Sequence, residues 1–204
     1  MDGIPIICAI IKCGGFKRQT LSATRDRKET EWRMRMFREM RRKKQRLSAE
    51  ACEAILAEGT SGVLAVDGDG GYPYAVPLSY VYQDGKLFFH CAKSGHMLDA
   101  VRRNPRASFC VIGQDRVVPE EYTSYFRSVI VFGTIRVLQE EREIRAAVRS
   151  LAVKYAPEDS EENRELAIQK EYSALCMLEL TAEHVTGKEA IELARSREKV
   201  FLDS

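Results

Sequence analysis

Tyr74-Ala75-Val76-Pro77-Leu78-Ser79-Tyr80-Val81-Tyr82 alternates, and Gln83-Asp84-Gly85 turns it into a second run, Lys86-Leu87-Phe88-Phe89-His90-Cys91. Period two puts Tyr74, Val76, Leu78, Tyr80 and Tyr82 on one face of the first run. It puts Leu87, Phe89 and Cys91 opposite Phe88 and His90 on the second. Asp-Gly between two such runs is a strong hairpin signal. The pairing this predicts sets the Pro77 strand beside the His90 strand. Proline cannot donate to a ladder, so Pro77 marks an edge or a bulge.

Working outward from the hairpin, Gly62–Val66 is a short apolar strand closed by a turn at Asp67-Gly68-Asp69-Gly70-Gly71. Before it, Ser48 can cap a helix that ends at Gly59. After the hairpin, Ser94–Arg103 reads as a short helix stopped by Asn104-Pro105. Arg106–Ile112 and Arg127–Leu138 read as strands, Glu140–Tyr155 and Glu161–Glu171 as helices, and Leu175–Thr181 as a last strand. Thr186-Gly187-Lys188 and a short tail helix follow. Strands with one short helix inserted among them suggest a closed, mostly antiparallel barrel, and an open sheet packed by helices fits the same pattern.

The 204 residues suit one compact domain with a loose end. Residues 1–48 hold 14 Lys/Arg against 5 Asp/Glu, whereas the remainder holds 18 against 25. Residues 1–35 show no sustained period and are expected to be a disordered extension before a folded domain at 36–204. Ile4–Ile11 is far shorter than the roughly 20 residues of a membrane span, and it lacks the flanks of a secretory signal. Neither a membrane nor a nucleic-acid partner is expected, because the basic run Arg38–Arg46 carries no interleaved aromatics. The six cysteines (Cys8, Cys13, Cys52, Cys91, Cys110 and Cys176) form no Cys-x-x-Cys pair, and there are only three histidines. No metal centre is expected, and the thiols read as reduced, in a cytoplasmic setting.

Three neighbouring features carry chemistry. The Pro77 strand leaves backbone groups free for a planar polar ligand. His90 follows an aromatic pair and can stand beside a flat ring. Lys93-Ser94-Gly95-His96 opens a helix whose first N–H groups, with a lysine and a hydroxyl, make a workable monophosphate cradle. It lacks P-loop spacing, so a triphosphate is not implied. A flat ring at one end and a phosphate at the other describe FMN.

Tyr72–Tyr80, Phe89-His90-Cys91-Ala92-Lys93-Ser94-Gly95-His96 and Asn104-Pro105-Arg106-Ala107-Ser108-Phe109 together resemble the pyridoxamine 5′-phosphate oxidase-like flavoproteins. They are most similar to the branch related to 5-nitroimidazole-resistance proteins. Tyr125–Gly133 and Thr186-Gly187-Lys188-Glu189 match that branch too, and the resemblance spans about residues 36–195. It implies an α+β, mainly β fold: a six-stranded antiparallel split barrel, forming a homodimer with FMN at the subunit interface. It places His90 at the active-site histidine of that branch. It assigns the cofactor to Val76, Pro77, Leu78, Ser79, His90, Cys91, Lys93, Ser94, His96 and Met97. Met97 stands where related sequences commonly have lysine, and Val185 where some have tryptophan before the Ser-Gly-Lys stretch. The substrate-phosphate arginines of true pyridoxamine-phosphate oxidases have no counterpart here. The expected activity is FMN-dependent reduction of a small acceptor, such as a nitroimidazole nitro group. The alternative is a flavin- or haem-binding module without turnover, with His90 or His96 as an axial ligand.

Overall fold

The structure is a computed structural model that describes residues 36–202, with side chains described as far as Arg197. The expected extension at 1–35 lies outside the described residues. The chain divides into two units, Met1–Glu39 and Met40–Ser204, and all of the elements named below lie in the second. They run α1 (Ala49–Glu58), β1 (Ser61–Asp67), β2 (Pro73–Ser79), β3 (Val81–Gln83), β4 (Lys86–Ala92), α2 (His96–Arg103), β5 (Arg106–Val118) and β6 (Thr123–Val137). The chain continues with α3 (Glu141–Tyr155), α4 (Glu161–Glu171), β7 (Leu175–Glu189) and α5 (Ile191–Leu202).

All seven strands join one sheet in the order β2-β1-β5-β6-β7-β4-β3, and every pairing is antiparallel. The α+β class is as expected, but the strand count and the closure are not. Residues 74–82 were expected to form one strand of a single hairpin; they are two strands divided at Tyr80. β2 pairs only with β1, Pro77 opposite Val63, whereas β3 pairs with β4, Val81 opposite Phe88. The Pro77 strand is therefore not hydrogen-bonded to the His90 strand. β2 and β3 are the two edges of the sheet, and the sheet is not closed by a ladder. With only Tyr80 between these edges, the sheet must curl until they meet.

A partner distant in sequence breaks the strand. The Tyr155 hydroxyl, at the end of α3, accepts the Tyr80 N–H at 2.9 Å and lies 3.0 Å from the Tyr80 carbonyl. Its own proton is shared between that carbonyl and the Thr60 carbonyl. Both backbone groups of Tyr80 thus leave the ladder without going unpaired. The Tyr80 ring is fully buried, and its hydroxyl donates to the Leu56 carbonyl at 2.8 Å.

The inner face of the curled sheet holds the main core. Leu64, Leu87, Phe89, Phe109, Val129, Val131, Leu178 and Leu180 come from the strands, Leu56 from α1, and Leu98 and Val101 from α2. Ser48 caps α1 by accepting the Ala51 N–H, as its position suggested. A second, smaller cluster lies on the outer face, where Ala147 and Leu151 of α3 pack on Val81, Leu138 and Met177.

Three strands run further than their sequence suggested. β5 and β6 extend to Val118 and from Thr123, forming a long hairpin. β7 does not stop at Thr181 but runs on through Thr186-Gly187-Lys188 to Glu189. The register slips between Phe132 and Gly133, where the partner of β6 jumps from His184 to Ala182. This bulge lets β7 bend and continue. It needs glycine, because a Cβ at Gly133 would sit 2.0 Å from the Thr181 carbonyl oxygen.

Tyr155→Phe removes the hydroxyl that satisfies Tyr80 and leaves a buried N–H unpaired. The expected loss is about 1–3 kcal/mol. For a domain of this size that is a fall of roughly 2–4 °C in Tm per kcal/mol, read by thermal and urea unfolding. An unchanged midpoint would mean that the bend does not depend on Tyr155.

Candidate functional site

β4 alternates as its sequence suggests. Leu87 and Phe89 are buried in the main core, while Phe88 packs against the outer cluster and His90 is exposed on the same outer face. No residue among those described hydrogen-bonds the His90 imidazole. His90 opens onto a cleft of about 590 Å³ between the sheet and the α3–α4 hairpin. The sheet wall is Ser79 of β2 with His90, Cys91 and Ala92 of β4; Val148, Leu151, Ala152 and Tyr155 of α3 form the second wall. Arg164, Ala167, Ile168 and Glu171 of α4 form the third, with Leu175 beside them at the start of β7.

The curl of the sheet brings Ser79 and His90 to one cleft although their strands do not pair. Pro77 shares the exposed outer face of β2 with Ser79, whereas Val76 and Leu78 are half-buried on the opposite face. A ligand on the outer face meets side chains at Pro77 and Ser79 and only backbone at Val76 and Leu78.

Beyond Ala92 the chain turns through exposed Lys93 and Ser94 into α2. Gly95 is the N-cap at φ 128°, a conformation closed to other residues, and no side chain caps the helix. Its first-turn N–H groups are therefore left without a side-chain partner, beside the exposed Lys93 and Ser94. His96 turns elsewhere. Its ring stacks on Tyr74 at 4.1 Å, and its Nε2 lies 3.4 Å from Asp69 Oδ2. Met97 is half-buried and packs against the main core.

Cys91 is the cross-strand partner of Cys176, and both thiols are free, as are Cys52 and Cys110. Burial first, then the adjacent Cys176 sulfur, pushes the Cys91 thiol up to about 12. At neutral pH it is held as the thiol, which rules it out as the nucleophile of the cleft. No cluster of metal-binding side chains occurs among the described residues, and no helix among them is long and apolar enough to cross a membrane.

The α3–α4 wall went unnoticed in the sequence, which gave Glu161–Glu171 only as a helix. Arg164 is in fact 7% exposed. It donates to Glu161 at 3.1 Å and to the Ala156 and Asp159 carbonyls at 3.1 and 2.9 Å, tying α3 to α4. The available signal was its spacing with Ile168, which puts both on one face of α4.

Residues 48–189 match the pyridoxamine 5′-phosphate oxidase family. The chain belongs to that family. Among similar solved structures is a FAD-binding protein from Mesorhizobium loti, with 25% identity and a TM-score of 0.52 over 72% of this chain and 97% of that one. A candidate 5-nitroimidazole antibiotic resistance protein from Bacteroides thetaiotaomicron is similar in fold, with 16% identity and a TM-score of 0.59 over 71% and 86%. So is the FAD and heme binding protein from Mycobacterium smegmatis, with 22% identity and a TM-score of 0.59 over 72% and 73%. No curated protein matches the chain.

The Cys91 thiol titrates from its ordinary value of 9.0 in the unfolded chain to about 12 in the folded one. Its contribution to stability is complete below pH 9 and declines as pH rises toward 12. Unfolding titrations across that window should show a decline that Cys91→Ala reduces. At pH 8, iodoacetamide should label Cys91 far more slowly than a free thiol; equal rates would mean that the site is open to solvent.

Proposed function

We propose that this protein is an FMN-dependent oxidoreductase that reduces a small acceptor at His90, as a homodimer in the cytoplasm. The observation that carries this reading is the sequence of features along one outer surface. It runs from the exposed edge of β2 at Pro77 and Ser79, past an unpartnered histidine on β4, to an uncapped helix start beside Lys93 and Ser94. That order matches a flat ring followed by a phosphate. The FAD-binding relative supports a flavin, and a single phosphate cradle favours FMN. An exposed sheet edge also accounts for the dimer, since a second copy would supply the missing wall of the ring site.

The roles of individual residues follow from their placement. Lys93, Ser94 and the first N–H groups of α2 hold the phosphate. Pro77 and Ser79, with backbone at Val76 and Leu78, line the ring. Cys91 contributes bulk, Met97 packs behind the cradle, and His96 steadies the start of α2 through Asp69 and Tyr74 rather than touching the phosphate. When bound, the flavin supplies the electrons. His90 holds a proton at the acceptor's oxygen or balances the negative charge that develops there. For a nitro group, two electrons and two protons yield the nitroso compound and water.

Absorbance of the purified protein tests the cofactor: flavin bands support the reading, whereas a Soret band after haem titration would favour a haem module. Lys93→Ala with Ser94→Ala should weaken FMN by tenfold or more, from about 1.5–3 kcal/mol per charge-assisted hydrogen bond. Riboflavin binding should barely change. Equal losses for the two ligands would refute the cradle.

His90→Ala should keep FMN and lower single-turnover reoxidation of the reduced flavin by a nitroimidazole by ~10²–10⁴-fold. An unchanged rate in flavin-loaded mutant would remove His90 from the reaction.

A further inference from the structure

Cys91 and Cys176 face each other across β4 and β7, one pair in from the end of that ladder at Ala92 and Leu175. The phase of the ladder is set at its other end, where the Ala182 N–H donates to the Gly85 carbonyl at 2.9 Å. Every second pair from there exchanges backbone hydrogen bonds, and Cys91 with Cys176 is one of them. Such a pair holds its Cα atoms about 5.5 Å apart, inside the roughly 4.4–6.8 Å that a disulfide spans. Both side chains lie on the inner face, Cys176 in the main core and Cys91 packed against it, and both are free thiols. No other described cysteine is so placed. Cys110 stands opposite Val63 and Ile130, and Cys52 is on α1 against Gly187.

The two thiols differ in access. Cys91 is half-buried and borders the cleft, whereas Cys176 is 9% exposed. A small oxidant entering by the cleft meets Cys91 first, with Cys176 placed to resolve it. Burial, and then the neighbouring Cys176 sulfur, raise the Cys91 thiol, so exchange at neutral pH is slow. The pair passes over brief exposure and answers to sustained oxidation. Its position gives the bond an effect. The α3–α4 hairpin rejoins the sheet at Leu175, and ladder ends are where strands open first. A bond at Cys176 fastens that point to β4 beside His90, and so holds the helical wall of the cleft to its sheet wall.

We propose that Cys91 and Cys176 are a dithiol–disulfide latch, closed by a low-molecular-weight disulfide, which fastens the root of the α3–α4 hairpin to β4. The Cys91 thiolate attacks one sulfur of the small disulfide. Its S–S bond breaks, and one small thiol leaves with the proton from Cys91. Cys176 then attacks the Cys91 sulfur of the mixed disulfide, closes the Cys91–Cys176 bond and releases the second small thiol with its own proton. The pair gives up two electrons and two protons, and the small disulfide takes both. An excess of small thiol reverses each step. The latch stands on the sheet and does not depend on the flavin reading.

The probe is 2-hydroxyethyl disulfide in a redox buffer with 2-mercaptoethanol. The full chain is equilibrated with it at about pH 9 to speed exchange, then quenched with acid and alkylated. Peptide mass mapping should find Cys91 joined to Cys176, lighter by two hydrogens than the reduced pair. Dithiothreitol should restore both thiols. After return to neutral pH, hydrogen exchange of the oxidised protein should slow about tenfold or more at the Leu175–Met177 amides. Cys91→Ala and Cys176→Ala, treated alike, should show no slowing, and Cys110→Ala should behave as wild type. Wild type reopened with dithiothreitol is the control that needs no substitution: its exchange should return to the reduced rate.

Cys91 halted at the mixed disulfide, both cysteines still alkylated in full, or a link that forms only in urea would overturn the latch. So would a Cys91–Cys176 bond that leaves exchange at Leu175–Met177 unchanged, since it would then fasten nothing.

Discussion

The bend at Tyr80 is the constraint on which the rest of the molecule depends. Its ring is buried in the main core, its hydroxyl is bonded to the Leu56 carbonyl, and its backbone groups are handed to Tyr155. Lys154, the neighbour of Tyr155, lies 4.3 Å from the Tyr80 ring centre and donates to the Gly59 carbonyl. Two residues at the end of α3 thus fix the end of α1 and the point where one sheet edge becomes the other. Each such hydrogen bond gives a net ~0.5–1.5 kcal/mol, but leaving its buried partner unpaired costs more. The staple therefore acts chiefly by excluding alternatives: an unbroken 73–83 strand would leave the Tyr155 hydroxyl without its place. Because Ser79 precedes the bend and Tyr155 borders the same cleft, the contact that curls the sheet also closes one end of the site.

The two histidines near the site differ in what they are free to do. His96 is committed to Asp69 and to the Tyr74 ring, so its position at the start of α2 is structural. His90, six residues earlier, has no partner among the described residues and faces the cleft. Cys91 beside it is held protonated by burial and by Cys176. A cleft with one free imidazole and no activated nucleophile has little intrinsic reactivity. Such a cleft fits the proposed reading, in which a bound flavin would supply the chemistry and the protein its placement.

The local pattern was legible in the sequence. Alternation assigned the two faces of β4 correctly, Asp84-Gly85 turned the chain where expected, and Ser48 and Gly59 bounded α1. What escaped was set by partners far along the chain. Nothing within residues 74–82 announces a break, because its cause is a hydroxyl 75 residues away. The seventh strand and the unclosed edge follow from that break. β7 looked as though it ended at Thr181 because the bulge that carries it onward depends on Gly133 of another strand. Arg164 drew no notice because burial of an arginine becomes visible only once the carbonyls it serves, at Ala156 and Asp159, are brought to it.

The site is built from two layers that need not change together. Its rim belongs to the curled sheet, whose inner face is packed by the main core, so Ser79 and His90 are as fixed as that sheet. Its inner wall is the α3–α4 hairpin, inserted between β6 and β7 and packed on the outer face through a separate, smaller cluster. Substitutions on the cleft-facing side of α4, at Ala167 or Glu171, would reshape that wall without reaching Leu87, Phe89 or Phe109. A fold arranged this way can keep one cofactor rim and vary what approaches it, which is one physical route by which a single architecture serves different acceptors. Sequence pattern bounded both helices of the hairpin but did not show which of their residues face the cleft. The residues that would set specificity are those whose burial and pairing are decided by tertiary contact, while the residues that would line the flavin ring sit on strands whose alternation can be read directly.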